Sequence, residues 1–579
     1  MADPRRAAAA LLLCVRVCAG AGSDAAPDDS VFGAMEDELH RSLEGLSMVD
    51  LDPPYFLSYE VREHATTVAD ARYDAMVRST SRTTRTLGID LRVGDPSLDN
   101  TNFYADWSDA WGRPADLVEE DDYWALRHEI WYRTDKAYKA AVERLAKKKA
   151  YLQSHPSDEA LVDLSPVEPC VHIEDRQSSA VDQGVIHALL NTAVEACHEV
   201  PALQDWDVGF LGDTETRWFV SSEGSRVRTV GHGYALTVSG TTQAHDGQRL
   251  CAQRRYMVPT LNAMPTKEDL AHDVRRFFEE LSAMAGADLL DEYAGPVLFT
   301  EYAAAQFMAG LFAEQLTLPR TPLVATEWMR EYFQPGKLAG RVNRRVLPRF
   351  VTILDDPGRT TWRGMPLMGS RFVDDQGVRC RPFALVMHGR LVTLPITRSP
   401  SRKVSEPNGR AIKVQAEAAV PGISNLIVRA DNRLSRERLI KELRRLCVEY
   451  ELEFGLLVSQ LEDPSVGARY RWTEARNGDD ASLLPPPLMV YKVFADDGRM
   501  EPVRGLVFED VTIRSLRDIV ACGKDERAYN MFVNAGFTDM SYPASIITPS
   551  VLVEEMELKS SPIREPLPKV RNPLFASPR

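Results

Sequence analysis

The side chains that could bind a metal are scattered along this chain. Histidine occurs 11 times in 579 residues, yet no pair stands in the HExxH or HExxxH spacing that places zinc ligands on one helix face. His187 and His198 share one face of a predicted helix, but at 1.5 Å per residue they lie about 16 Å apart, too far to share a metal. Cys197 and Glu199 flank His198, and adjacent helical residues point in different directions. We interpret this cluster as structural packing.

Nucleophile and phosphate-binding motifs are also missing from the sequence. It contains no GxSxG and no Walker A pattern. Cys522-Gly523-Lys524 presents a thiol without a base placed beside it, which is weak support for covalent catalysis. Asp374 and Asp375 form a carboxylate pair, but the surrounding VDDQGV predicts a hairpin turn. The residues alone therefore predict no recognisable catalytic set.

Composition places the chain among globular proteins and disfavours nucleic-acid binding. Hydrophobic residues make up 44% of the chain and charged residues 26%, which is typical of folded domains. Its 69 basic and 84 acidic residues give a net charge of −15. An acidic surface repels phosphate backbones and anionic membrane surfaces. We expect that the protein does not bind nucleic acid and that it has no membrane-spanning segment.

The first residues resemble a short export signal. Residues 7–15 read AAAALLLCV after Arg5 and Arg6, and Ala19-Gly20-Ala21 provides a small-residue cleavage site. The apolar run is too short to span a bilayer, which takes about 20 residues. We expect residues 1–21 to be a signal peptide and the protein to be periplasmic or extracellular. The alternative is a cytoplasmic protein with an Ala-rich extension, since Arg16 interrupts the apolar region.

Periodicity predicts an α+β domain over residues 30–290. Apolar spacing indicates helices at 33–46, 119–152 and 178–199, and a further helix that Thr266 and Asp269 cap. Strand patterns occur at 55–61 and 88–93. Turn residues at 222–224 and 245–247 predict two hairpins.

A β-rich domain is predicted over residues 291–559. A short apolar strand at 296–299 leads into a small-residue helix at 301–316. Strands and turns dominate 350–430, an amphipathic helix begins at Ser435, and strands return at 487–495, 502–514 and 550–558. Residues 560–579 hold five prolines and predict an extended tail.

Several segments together resemble the TldD/PmbA family, in order and in spacing. The resemblance covers about residues 33–559. The segments that carry it are PPYFLSY (53–59), LRVGDPSLDNTNF (91–103), RTDKAYKAA (133–141), SSEG (221–224), PVLF (296–299), VDDQGV (373–378), SNLIV (424–428) and TPSVLVEE (548–555).

The resemblance implies where a zinc site would lie. TldD-like members are zinc peptidases that carry HExxxH on the first helix of the second domain, with a distant Cys as a further ligand. PmbA-like members, also called TldE, lack the motif and pair with a TldD-like chain. Here Thr300 and Ala305 stand at the two His positions, and Glu301 stands at the Glu position. Counting back from Pro549 places the ligand Cys near Ala535, so we interpret Cys522 as coincidental.

The leading hypothesis is therefore a catalytically silent PmbA/TldE-like subunit, itself without metal or cofactor. Its partner would be a TldD-like paralogue that carries HExxxH and zinc and acts on unfolded peptides. One alternative is a hydrolase with an altered site built from Glu301, His187, His198 or Cys522. The other is a stand-alone peptide-binding or structural protein.

Overall fold

The structure is a computed structural model that describes residues 29–48, 52–73, 75–106, 114–156, 161–177, 181–414, 418–463, 482–535, 541–561 and 564–569. The predicted signal peptide at 1–21 and most of the predicted tail lie outside these ranges. Among the described helices, none combines the length and apolar character needed to cross a membrane. The fold is mixed α/β, as the sequence predicts.

The first domain is built on one mostly antiparallel sheet. The strand order is β3-β2-β1-β7-β8-β6, with β5 beside β2 and β9 beside β8. The strands of the domain are β1 (Pro54–Arg72), β2 (Ala75–Asp95), β3 (Leu98–Asp99), β4 (Phe103–Tyr104), β5 (Ala115–Asp116), β6 (Val171–Ile173), β7 (Asp205–Ser221), β8 (Arg226–Gln243) and β9 (Arg249–Val258). Strand β4 lies outside this sheet. The helices are α1 (Ser30–Gly45), α2 (Tyr123–Ser154), α3 (Gln183–His198) and α4 (Lys267–Ala285).

Helices cover one face of this sheet. Side chains alternate between the two faces of a strand, so odd-numbered residues of β1 share one side. Tyr59 and Val61 pack with α1 and α2, whereas Ala69 packs with α3 and α4 nearer the other end of the strand. On the other side of β1, Glu60 and Arg62 contact residues of the second domain.

The capping signals in the sequence act where they were predicted. The Thr266 hydroxyl accepts the Asp269 N–H at 3.2 Å and starts α4. Leu270, Val274 and Leu281 follow at helical spacing and are fully buried. This packing holds α4 against β8 and β9, where it lines one side of the cleft described below.

The second domain packs two sheets around one core. The first sheet has the order β10-β24-β23-β22-β11-β29-β26-β21, with β25 beside β29, and the second has the order β17-β16-β13-β20-β28-β27. Its strands are β10 (Asp288–Leu289), β11 (Glu292–Phe299), β12 (Leu323–Val324), β13 (Val351–Asp355), β14 (Thr361–Trp362), β15 (Met365–Pro366), β16 (Phe383–Met387), β17 (Arg390–Leu391), β18 (Ala411–Ile412), β19 (Val420–Pro421), β20 (Asn425–Ala430), β21 (Arg433–Leu434), β22 (Phe454–Leu461), β23 (Pro487–Phe494), β24 (Met500–Arg504), β25 (Leu506–Phe508), β26 (Ile519–Gly523), β27 (Arg527–Asn534), β28 (Ser541–Thr548) and β29 (Val551–Ser560).

Three helices belong to this domain, counting only the α-helices of the described residues: α5 (Glu301–Met308), α6 (Glu327–Arg330) and α7 (Arg436–Glu449). Helix α5 lies between the two sheets, in contact with β22 of the first and β28 of the second. Beyond Met308 the chain continues as a wider turn at Ala309–Ala313 and a tighter one at Glu314–Leu316. The chain is therefore helical over the whole predicted range of 301–316, but only Glu301–Met308 is α-helical.

Candidate functional site

The chain enters α5 directly from β11, at the position that the family resemblance assigns to the zinc motif. The last residue of β11, Phe299, pairs with Val458 of β22. The Thr300 N–H continues this pairing, because it donates to the Val458 carbonyl at 2.9 Å. The Thr300 side chain points inward as a result and is only 3% exposed.

The second implied ligand position is also part of the protein core. Ala305 is fully buried, as is Ala303 on the same short helix. Both pack in the cluster that joins the two sheets, together with Phe307. Alanine offers no donor atom and a neutral threonine hydroxyl is a poor zinc ligand. The residues present at Thr300 and Ala305 do not fit the metal that the resemblance implies.

Glu301 is the part of the motif that reaches solvent. Its backbone lies in the left-handed region at φ +50°, which is uncommon for a residue with a side chain. Glu301 lines a small, shallow cleft between the two domains. The residues lining this cleft are Arg254, Asp273, Arg276, Phe277, Glu280, Glu301, Tyr302, Ser459, Gln460 and Met489.

One wall of the cleft is a paired set of charges on the first domain. Arg254 of β9 holds Asp273 of α4 with two contacts, at 2.9 and 3.2 Å. The Tyr256 hydroxyl donates to the same carboxylate at 2.7 Å. Burial opposes ionisation of Asp273, but the charge of Arg254, together with the hydrogen bonds from Tyr256 and Arg254 and the charge of Arg276, outweighs it and lowers the pKa of this carboxyl below its usual range. Asp273 is therefore held as an anion, and its carboxylate oxygens already accept hydrogen bonds from Arg254 and Tyr256.

The opposite wall comes from the second domain. The Gln460 side-chain amide donates to the Gln253 carbonyl at 3.2 Å and ties β22 to β9. Burial raises the pKa of Tyr302, the residue after Glu301, to about 12, so its phenol stays protonated. The cleft thus offers the Glu301 carboxyl group, hydrogen-bonding groups and the apolar side chains of Phe277 and Met489. Such a set can bind a polar ligand, but no histidine or thiol lies in it.

The structure does not bring the other candidate residues together. His187 is exposed and His198 half-buried on α3 in the first domain, whereas Cys522 lies on β26 in the second. Burial raises the pKa of the Cys522 thiol to about 12, which leaves it protonated and unreactive at neutral pH. Among the described residues, no group of three or more His, Cys, Asp or Glu side chains is placed to hold a metal ion. Ala535, the position counted for the ligand Cys, is 1% exposed.

Sequence reasoning missed a buried ionic network between the two domains, which we call the interdomain clamp. Its members are Glu60, Arg62, Glu215 and Arg217 of the first domain and Asp375 and Lys413 of the second. Asp375 contacts Arg62 at 2.9 Å and Arg217 at 3.1 Å. Lys413 reaches Glu60 at 3.5 Å. The only sequence signal was the Asp374-Asp375 pair, which does form a turn but is buried against the first sheet.

The clamp positions the turn of the second domain against the even-numbered face of β1. Arg217 also donates to the Asp374 carbonyl oxygen at 3.0 Å, so it grips both the side chain and the backbone of the turn. Asp374 in turn accepts the Ala411 N–H at 3.0 Å. The cleft beside Glu301 therefore lies between domains whose relative position is fixed by buried charge pairs.

Comparison with known proteins agrees with this architecture. Residues 292–474 match the family described as PmbA/TldA metallopeptidase C-terminal domain. No match was found among curated proteins.

Solved structures share the fold over nearly the whole chain. A TldE from Thermococcus kodakarensis is 15% identical, with a TM-score of 0.56 over 91% of this chain and 100% of that one. A protein from Thermotoga maritima described as a candidate modulator of DNA gyrase is 15% identical, with a TM-score of 0.57 over 91% and 100%. A similarly described protein from Bacteroides thetaiotaomicron is 14% identical, with a TM-score of 0.58 over 92% and 99%. At these identities the structures establish the fold, and the sequence match establishes the second domain. Residues 292–474 therefore match the PmbA/TldA metallopeptidase C-terminal domain family, and the chain as a whole has the fold of the TldE-type structures.

Proposed function

We propose that this chain is a catalytically silent subunit that pairs with a TldD-like zinc peptidase acting on unfolded peptides. The observation that carries the proposal is the state of the motif helix. Thr300 and Ala305 are core residues without adequate donor atoms for a metal, although the rest of the two-domain architecture is kept. A chain that retains the architecture without the ligands is best explained as a scaffold for a partner's active site.

The role of the cleft follows from the same argument. Without zinc, Glu301 has no metal-bound water to activate, so a general-base role for it is not supported. Its open carboxylate and the apolar residues beside it suit a weak contact with polypeptide passing between the subunits. One of the solved structures that share the fold is named TldE, and PmbA/TldE-like members are those that the family resemblance pairs with a peptidase.

The test is co-expression with an HExxxH-bearing paralogue from the same genome. We expect the two chains to co-purify, with zinc bound in proportion to the paralogue. Cleavage of an unfolded, fluorescently labelled polypeptide should appear in the mixed complex and be lost with a zinc chelator. Separate purification of the two chains without any association would refute the proposal.

A hydrolase with an altered site is the second candidate. The observation that favours it is the strained, exposed Glu301 beside a cleft that also contains Asp273 and Tyr302. This hypothesis predicts peptidase or hydrolase activity of the isolated chain that Glu301→Gln removes. Glu279→Gln is the matched control, because Glu279 is exposed on α4 and does not line the cleft.

A further inference from the structure

Strand β2 forms an open edge of the first sheet over residues 75–84. Over this stretch β2 pairs with β1 on its inner side. Its pairings with β5 and β3 begin only at Thr86 and Gly94, beyond the stretch. Residues 75–83 are exposed without interruption. Within the described part of the chain, no strand covers the outer side of this segment, which we call the open edge.

An edge of this kind presents unpaired main-chain N–H and C=O groups. Ten residues in a strand span about 34 Å. In an antiparallel ladder about half of the residues direct both their N–H and C=O away from the neighbouring strand. These groups form hydrogen bonds to water in the isolated chain, and an added strand would satisfy them in a dry interface.

The open edge is also firmly supported, and it is regular from Arg78 onward. Strand β1 beneath it is itself paired with β7 as far as Arg72, so the edge belongs to a broad sheet rather than to a free hairpin. The register between β1 and β2 runs without a bulge from Arg78 to Arg92. The segment contains no proline. Natural edges are commonly blunted by bulges, prolines, charged side chains or short strand length. This edge has one bulge, at Val77 near its end, and two arginines, but it is ten residues long and contains no proline.

The side chains beside the open edge differ on its two faces. On one face, Ser79 and Ser81 contact Gln183 at the start of α3, at 3.0 and 3.3 Å. Two exposed aliphatic residues flank this contact, since Val77 is 66% and Val185 41% exposed. This face therefore has an apolar margin that a partner could cover.

The other face is cationic. Arg78 is paired with Asp70 at 2.6 Å. Arg82 makes no ion pair within the described residues and lies exposed on the same side of the strand. An approaching strand that carries a carboxylate opposite Arg82 would gain a charge pair, whereas a cationic one would be repelled.

We infer that the open edge pairs with the corresponding edge strand of the partner subunit, so that one sheet continues across the subunit boundary. This inference rests on the proposed function, because it names where that partner docks. A paralogue with the same fold presents the equivalent strand, and two equivalent edges meet antiparallel about a local two-fold axis.

The charges favour a paralogue over a second copy of this chain. Two copies that meet through this edge bring two arginines each to one short ladder, and only Arg78 is neutralised within its own chain. The occupant that fits is an edge strand with Asp or Glu at the positions facing Arg82. The apolar margin at Val77 and Val185 adds contact area to a ladder that by itself is narrow.

The experiment measures the complex with and without a changed edge. Val77→Lys with Arg82→Glu leaves the main chain and the contact with Gln183 intact but reverses the chemistry of both faces. We expect this double variant to raise the Kd for the co-expressed paralogue by at least about tenfold, with an unchanged melting temperature of the chain itself. Arg438→Glu is the matched control, since Arg438 is exposed on α7 in the other domain, and it should leave the Kd unchanged. Hydrogen–deuterium exchange should show new protection of residues 75–84 in the complex.

The outcomes separate the inference from the proposed function. A complex that forms with unchanged affinity in the double variant, without new protection at 75–84, overturns the open-edge inference and leaves the silent-subunit proposal standing. Absence of any complex with the unchanged chain overturns both. A homodimer of the chain alone that the double variant dissociates shows that a second copy occupies the edge, which overturns the assignment to a paralogue.

Discussion

Asp375→Asn should weaken the interdomain clamp more than any exposed charge substitution. Asp375 contacts two guanidinium groups, those of Arg62 and Arg217, at 2.9 and 3.1 Å, and both arginine side chains are largely buried. The clamp pairs three cations with three anions, namely Arg62, Arg217 and Lys413 with Glu60, Glu215 and Asp375. Asparagine keeps the shape and can still accept hydrogen bonds, but it leaves one buried positive charge without a counter-charge.

The size of the effect follows from that imbalance. A charge pair at about 4 Å is worth about 4 kcal/mol at an effective dielectric constant of about 20. Glu60 already contacts Arg217 at 3.4 Å and recovers part of this. Breaking a buried pair by removing one partner commonly costs about 3–5 kcal/mol, and we expect a loss in this range in the free energy of unfolding.

The assay is urea unfolding at pH 7, followed by tryptophan fluorescence. Asp291→Asn is the control, because Asp291 is exposed in the same domain and its substitution should change the free energy by less than about 0.5 kcal/mol. A loss of under 1 kcal/mol for Asp375→Asn, similar to that of an exposed pair, would refute the reasoning.

The pH dependence gives a second readout of the same charge. Burial opposes ionisation of Asp375, but Arg62 and Arg217 outweigh it and hold the pKa of this carboxyl well below its usual range. The stabilisation is therefore present above the unfolded-state pKa of about 3.9 and is lost as the pH falls below it. The stability gap between the unchanged chain and Asp375→Asn should narrow by about 1.4 kcal/mol for each pH unit below about 3.9.

Three further predictions concern a turn, the metal and the N-terminus. Gly377 has φ +79°, and an added Cβ would lie 2.6 Å from the Phe219 ring. Gly377→Ala should therefore lower the free energy of unfolding by more than about 1 kcal/mol. Gly340→Ala is the control, because no atom lies within 4 Å of an added Cβ there, and equal stability of the two variants would contradict this packing. The purified chain should hold far less than one zinc per molecule by elemental analysis, because true structural sites bind with about 10–16 kcal/mol and survive gel filtration; stoichiometric zinc that a Cys522→Ser substitution releases would show that Cys522 is a ligand after all. Intact mass of the native protein should place its first residue near Gly22, and a native pool that retains residues 1–21 would exclude export.

The elements with strong local signals were predictable from the sequence. The helix that Thr266 caps, the hairpin around Ser222-Glu223-Gly224 and the amphipathic helix after Ser435 all form where their turn and capping residues indicate. In each case the local hydrogen bonds and the apolar period agree with the tertiary packing. At these positions the local conformational preference of the sequence agrees with the tertiary fold, so a short sequence window is sufficient to predict the element.

The first two strands were predicted much too short. The apolar alternation indicated strands at 55–61 and 88–93, but β1 and β2 extend over Pro54–Arg72 and Ala75–Asp95. In the outer half of β2 the residues are exposed and, from Arg78 to Thr84, all polar, so no hydrophobic period marks them. What holds this half in the sheet is pairing with β1, a contact that the local sequence does not encode.

The second domain differed from prediction where the backbone has special geometry. The strand predicted at 502–514 is interrupted at Gly505, where φ is +84°, and ends in a short 3₁₀ turn at Ile513–Leu516. The predicted motif helix begins at Glu301 as expected, because β11 ends there against Val458. The cleft and the clamp could not be predicted, since both join residues that lie more than 100 positions apart, such as Asp273 with Gln460 in the cleft and Arg62 with Asp375 in the clamp.

The most direct test of the silent-subunit account compares the same glutamate substitution made in each subunit of the assembled complex. Glu301→Gln in this chain and the equivalent Glu→Gln in the HExxxH paralogue are compared for cleavage of an unfolded polypeptide. Loss of a general base commonly costs about 10²–10⁴-fold in rate. The account predicts nearly unchanged activity for Glu301→Gln and a loss of that size for the substitution in the paralogue. A comparable loss from Glu301→Gln, or cleavage by this chain alone, would contradict it.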